Sequence, residues 1–177
     1  MLSASTMTLQ RQERSRRYLT TAPFALLAGF LIAFLVSVAP LESQAATTER
    51  IVTNRFTGLA IEGFDPVAYF VEGRPVRGLP DFEAALFGAV WRFHNEGNKA
   101  SFLAHPDIYG PQFGGYDPID VARGVTLAGN PLFWVISAQR LYLFGMEANR
   151  DAFAADPEHV LRQANKRWPA LESDLAE

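Results

Sequence analysis

Cysteine is absent from the 177 residues, which excludes disulfides, thiolate metal sites, iron–sulfur ligation and a cysteine nucleophile together. An excess of positive charge is also missing. The formal charge of −3 argues against a nucleic-acid binder, which carries a basic face. Low-complexity tracts are absent, and no internal repeat at a fixed period is legible. What is present is 49% hydrophobic and 20% charged residues, a balance that excludes a disordered or collagen-like chain and permits a packed core. The length suits one domain of ordinary size or at most two small ones.

The first 45 residues have the grammar of export. Arg11, Arg14, Arg16 and Arg17 precede an uncharged stretch from Ala22 to Ala39, and Ser43-Gln44-Ala45 places small residues where a signal peptidase reads them. A signal peptide over 1–45, cut after Ala45, is expected, and with it a periplasmic location. The apolar run of 18 residues also reaches the lower edge of a membrane-spanning helix, so an uncleaved anchor is the alternative, with membrane contact only in that case. Ser15 to Leu19 partly resembles a twin-arginine signal, with Thr20 departing from it. The long apolar segment suits the general secretory route. No cysteine follows it, so no lipoprotein anchor forms. Cleavage would remove four of the 16 basic and two of the 19 acidic side chains, leaving 132 residues with a formal charge of −5.

Residues 46–58 read as a polar linker or loosely docked lead-in, 59–171 as the domain and 172–177 as a tail. Asp65-Pro66 predicts a helix start, because the carboxylate accepts from free N–H groups and proline suits the first helical position. Arg74 to Arg77 is a candidate edge strand. Residues 82–87 and 90–94 predict a hairpin turning at Gly88-Ala89, with Trp91 and Phe93 on its buried face. Asn95 is placed to cap a helix running to Ala104. Asp117-Pro118 repeats the cap-plus-proline device. Residues 132–137 and 141–144 predict a second hairpin, Glu147 to Ala155 a helix, and Asp156-Pro157 a last helix with Val160, Leu161, Ala164 and Trp168 on one stripe, stopped at Pro169. The fold class is α+β: two hairpins and several short helices in one domain.

Few residues suggest chemistry. His94, His105 and His159 have no helical metal-ligand spacing. His159 reads as a surface residue, and His105 as a helix-end group able to bond free carbonyls. His94 stands where a strand passes into a helix. Gly114-Gly115 marks a turn that needs positive φ or a close backbone approach; it lacks the lysine and spacing of a phosphate loop. Ser101 and Ser137 lack the elbow context of a serine nucleophile. No carboxylates form an evident acid/base couple, and the abundant aromatics read as core.

Three ordered strings, GFDPVAYFVEGRPVRG, then LFGAVWRFHNEGNKASFLAHPDIYGPQFGGYD, then FWVI with LYLF, resemble the YHS-domain proteins of bacterial export compartments, from about Leu59 to Leu171. The pattern is carried by Gly88, Trp91, Phe93, Asn95, Asn98, Phe102, Pro106, Tyr109 and the run Gly114 to Tyr116. The resemblance implies a non-enzymatic binding module, with copper or zinc as the candidate ions or a small ligand in their place. Positions where family members carry cysteine correspond to Ala68, His94, Asn98 and Asp117. His94 is therefore the candidate metal ligand, and Asn98, Tyr116 and Asp117 the candidate ligand-binding residues, although Asp117 is equally explained as a helix cap. The alternative is an accessory protein that docks on an unknown envelope partner and binds no ligand.

Overall fold

A computed structural model of the chain describes residues 49–175. The expected signal segment lies outside them. Strands β1 (Leu79–Leu86) and β2 (Ala89–Phe93) form one antiparallel hairpin, and β3 (Asn130–Ser137) and β4 (Arg140–Phe144) a second. Around them lie helices α1 (Ala68–Val71), α2 (Glu96–Ala104), α3 (Pro106–Tyr109), α4 (Pro118–Arg123), α5 (Glu147–Ala155) and α6 (Pro157–Ser173), with 3₁₀ turns at Ile61–Gly63 and Gln112–Gly115. The fold is α+β in one compact domain, as expected. Among the described residues no helix is long and apolar enough to cross a membrane.

The same unit occurs twice, which the sequence reading missed. β1 pairs with β2 through Leu79 and Phe93, Glu83 and Arg92, Ala84 and Trp91, Ala85 and Val90, Leu86 and Ala89, with a bulge between the first two pairs. Every pair recurs 51 residues later in the second hairpin, from Asn130 and Phe144 to Ser137 and Arg140, bulge included. Each unit opens with a 3₁₀ turn, then an aspartate–proline pair, then a short helix, a hairpin and two more helices. Single-residue bridges repeat too: Leu59 to Val90 answers Pro111 to Leu141, and Phe64 to Arg77 answers Tyr116 to Ala128. Identical residues recur at equivalent places, among them Asp65 and Asp117, Phe93 and Phe144, Glu96 and Glu147, Asn98 and Asn149, Phe102 and Phe153. Gly78 and Gly129 are one such pair: a Cβ would lie 2.5 Å from the Arg92 backbone in one and 2.6 Å from Leu143 Cβ in the other. FHNEGNKASFLAHP at 93–106 and FGMEANRDAFAADP at 144–157 share six residues at the same spacing, a repeat signal that the sequence reading passed over.

Two hydrophobic clusters result. Trp91, Phe93 and Phe102 anchor one with Ile61 and Tyr69; Phe144, Phe153, Tyr142 and Val121 anchor the other with Tyr116 and Ala164. The second hairpin feeds both. Leu141 and Leu143 enter the first cluster while Tyr142 and Phe144 enter the second, and Trp134 and Ile136 part from Phe133 and Val135 in the same way. The Tyr69 hydroxyl donates to the Pro131 carbonyl at 2.9 Å, tying α1 of the first unit to the strand of the second.

Several boundaries differ from expectation. Residues 49–58 are not a linker: Val52 is buried, its N–H donates to the Gly114 carbonyl at 2.8 Å, and Thr53 bridges to Ala60. Arg77 makes a single bridge instead of an edge strand over Arg74 to Arg77, and its guanidinium lies 4.1 Å from the Phe64 ring. Helix α6 continues through Pro169 to Ser173, because its last turns carry Leu171 and Leu175 onto the cluster already holding Val160, Ala164 and Trp168. Packing there outweighs the one hydrogen bond that proline removes. At the end of α2 it is the His105 backbone N–H that bonds to carbonyls, of Ser101 and Phe102.

Candidate functional site

Of the four residues singled out from the sequence, His94 and Asn98 join one buried carboxylate network and Asp117 forms another that shares no member with it, while Tyr116 belongs to neither. In the first, Asp65 Oδ1 accepts from the N–H of Val67 (2.8 Å) and Ala68 (3.3 Å), and Oδ2 from the His94 N–H (2.7 Å) and Asn98 Nδ2 (2.6 Å). In the second, Asp117 Oδ1 accepts from the Ile119 N–H (2.8 Å), and Oδ2 from the Gly145 N–H (2.8 Å) and Asn149 Nδ2 (2.7 Å). Asp65 and Asp117 are both 0% exposed. Asp117 is the N-cap of α4, whereas Asp65 lies two residues before the α1 N-cap Val67 and takes the N–H of Val67 and Ala68, and each carboxylate also binds the junction where a strand ends and a helix begins.

His94 and Gly145 occupy equivalent places, so what the network uses at that place is a backbone N–H. The His94 imidazole is exposed. Asn98 is committed to Asp65 through its amide and donates its own N–H to the Asn95 cap at 2.8 Å. Tyr116 is buried, and its hydroxyl donates to the Glu49 carbonyl at 2.5 Å while its ring lies 6.0 Å from that of Trp168. Asp117 acts as the cap it was expected to be. The structure therefore does not gather His94, Asn98, Tyr116 and Asp117 into one site.

The networks differ in one electrostatic respect. Burial pushes the Asp117 carboxyl above its ordinary range; hydrogen bonds from Asn149, Gly145 and Ile119 pull the other way, and neighbouring Asp120 adds to the rise. Asp120 is itself buried, receives the Asn149 amide at 3.3 Å and pairs with Arg123 at 3.2 Å. Its counterpart in the first unit is Ala68.

A cleft of about 520 Å³ opens elsewhere, walled by Ile51, Phe87, Pro111, Phe113 and Trp168, with Arg50, Gln112 and Glu172 as its polar side chains. A smaller recess of about 120 Å³ adjoins it across Phe87 and Gln112. Two of its aromatic residues have left-handed backbones, Phe87 at φ 55° and Phe113 at φ 54°. That conformation costs a side-chain-bearing residue on the order of 1 kcal/mol or more. Phe87 and Gly88 form the two-residue turn of the first hairpin, one position earlier than expected, where Asn-Gly would be least strained. Phe87 is nonetheless 60% exposed. Phe113 packs edge-on against Trp168, with ring centres 5.5 Å apart.

Tyr116 and Gly114 position this cleft. Tyr116 holds the Glu49 carbonyl, and a side chain at Gly114 would collide with the Arg50 carbonyl, so glycine lets the segment carrying Arg50 and Ile51 lie against the turn. The close approach expected at Gly114-Gly115 is thus present, with φ 62° and 93°. Sequence reasoning placed Phe87, Phe113 and Trp168 in the core, although Phe87 is 60% exposed, and passed over Arg50, Gln112 and Glu172. The available signal was a phenylalanine in a hairpin turn.

A metal centre does not fit the residues present. Among the described residues no three or more His, Cys, Asp or Glu side chains are grouped so that they could hold an ion. Compared with protein-family models, curated proteins and solved structures, the chain matches none.

Proposed function

We propose that this chain is an exported, non-enzymatic binding module whose ligand is a small organic molecule seated in the cleft between Phe87 and Trp168. The observation that carries the reading is Phe87: a large apolar side chain, mostly exposed, on a hairpin turn at the mouth of a concavity. At the equivalent turn of the second hairpin stands Ala138, with φ 48°, so the turn itself does not require phenylalanine. A large apolar side chain kept exposed at a turn whose equivalent carries alanine points to a role outside folding. The cleft's volume falls within the range of small-molecule pockets, about 300–1,000 Å³, and its mix of apolar walls with a few polar groups is the usual one.

The resemblance to YHS-domain proteins supports a binding module in the periplasm rather than a catalyst. The commitment of Asp65 and Asp117 to backbone amides supports it too, since neither is left to move protons. Copper or zinc binding at His94 is the weaker form of the reading, because the exposed imidazole lacks convergent donors. The test is a heteronuclear NMR titration of the full chain with indole, a neutral aromatic probe. Saturable shifts should centre on Ile51, Phe87, Phe113 and Trp168 and disappear in Phe87→Ala. Shifts that never saturate, or that centre on His94 when copper or zinc is added instead, would overturn the assignment.

A further inference from the structure

Charge pairing across the domain singles out two side chains. Among the described residues, Arg74, Arg92, Lys99, Arg123, Arg150 and Arg162 each pair with a carboxylate. Arg77 and Arg140 donate to the carbonyls of Glu62 and Asp107, Arg55 lies over the Phe56 ring, and Arg50 is engaged as well. Lys166 and Arg167 alone have no hydrogen bond, ion pair or ring contact. These neighbours line a second cleft, of about 390 Å³, with Gly124, Gln163, Ala170 and Leu171. Gln163, Lys166, Arg167 and Ala170 follow helical spacing and share one face of α6. The Gln163 amide has no partner either. Gly124, the C-cap of α4, completes the wall. A Cβ there would lie 3.4 Å from Arg167 Nη1 and 3.9 Å from its Cδ, so the Arg167 side chain runs along bare backbone. The dipole of α6 does not account for the two cations, because the helix runs on to Ser173 and its last turn contains no basic side chain. Two adjacent like charges repel, and within the domain nothing offsets them.

We infer that this cleft binds a phosphate monoester: its dianionic head lies against Lys166 and Arg167, the Gln163 amide donates to one of its oxygens, and its organic body lies on Ala170 and Leu171. Arginine offers a planar fork of donors and lysine a compact point charge. A phosphate monoester matches both, with a charge of about −1.5 to −2 at neutral pH and three acceptor oxygens. A carboxylate or a sulfate ester brings one charge and leaves one cation unmatched. The cleft shares no residue with the one at Phe87, so the inference stands apart from the reading above. The same headgroup occurs on small soluble esters and on phosphatidic acid at a membrane surface, and the test separates the two sources.

Calorimetry on the full chain near neutral pH compares n-butyl phosphate with n-butyl sulfate, which has the same shape and less charge. The phosphate should bind at least tenfold more tightly, a difference of about 1.4 kcal/mol. Lys166→Gln should abolish that advantage, and Arg167→Gln should weaken both esters. Arg162→Gln, on the same helix but paired with Glu158, should change neither affinity, and nor should Phe87→Ala. Lys166 and Arg167 are exposed, so their variants keep the fold, which circular dichroism checks. Equal affinities for the two esters, or equal losses in Lys166→Gln and Arg162→Gln, would reduce the effect to general attraction and overturn the assignment. Co-sedimentation with phosphatidylcholine vesicles containing phosphatidic acid reads the membrane source. Vesicle binding that Lys166→Gln removes, without binding of butyl phosphate, assigns the site to the lipid headgroup. If neither butyl phosphate at millimolar concentration nor the vesicles bind, the inference falls, whatever the result of the indole titration at Phe87.

Discussion

The two hairpins have the same register, the same bulge and the same turn length, yet they meet different surroundings. In the first, Ala89, Trp91 and Phe93 are buried while Val90 and Arg92 are half-exposed, and Arg92 reaches Glu83 at 2.6 Å. In the second, Leu141 to Phe144 are all buried, because one cluster lies on each face. Their sequences differ accordingly: AVWRF alternates, whereas LYLF is continuously apolar. A strand with one wet face must alternate, and a strand between two cores cannot tolerate a polar residue on either side. The two units thus share a backbone while their side chains differ to match what packs on each face.

The sharpest way to break this comparison is to truncate equivalent positions. Arg92 and Leu143 occupy the same place in their hairpins. Leu143→Ala should cost about 3 kcal/mol, the usual loss for a buried leucine, while Arg92→Ala should cost less than about 1 kcal/mol, since its ion pair is about one-third exposed on both sides. Urea unfolding of the two variants measures the difference, and equal losses would mean that the second hairpin is not sandwiched.

A smaller effect lies at the helix starts. Asn95 and Met146 have nearly the same backbone, φ −155° and ψ 169° against φ −149° and ψ 159°, but only Asn95 provides a side-chain cap. Met146 is 55% exposed and can be replaced without loss of core. Met146→Asn should therefore stabilise the domain by about 1 kcal/mol, and Asn95→Ala should remove a similar amount. Thermal unfolding that left Met146→Asn unchanged would show that the α5 start is held by packing alone.

The smallest effect separates the carboxylate networks by pH. Because the Asp117 carboxyl is raised in the folded state, its contribution to stability is fully present below its unfolded value near 3.8 and is lost as pH rises through the higher folded value. Asp120→Ala restores the residue type of the first unit at that position and removes one cause of the rise, so the window of loss should move down in pH. Unfolding free energies of wild type and variant from pH 3 to 7 would read this, and coincident profiles would show that Asp120 does not act on Asp117.

Much of the architecture was legible because its causes are local. Asp117-Pro118 and Asn95 cap helices through atoms two or three residues away, and Asp65 binds the N–H groups of Val67 and Ala68 just ahead of α1, whose start falls two residues later than Pro66. The alternation around Trp91 and Phe93 likewise revealed which face is buried. Pro169 misled because its effect depends on the residues beyond it: Leu171 and Leu175 have a cluster to join, so the helix continues. The candidate site was less legible. His94, Asn98, Tyr116 and Asp117 are adjacent in motif but belong to different units, and their polar atoms hold the chain together.

By itself the sequence determined the fold class, the helix starts and the two hairpins, since capping, proline geometry and residue alternation act over a few bonds. Tertiary structure alone decided that the second hairpin is buried on both faces, and that Arg50, Phe87, Phe113, Trp168 and Glu172 line one cleft. Those facts bring together residues as many as 122 positions apart around one cleft, and no local propensity encodes a juxtaposition of that range.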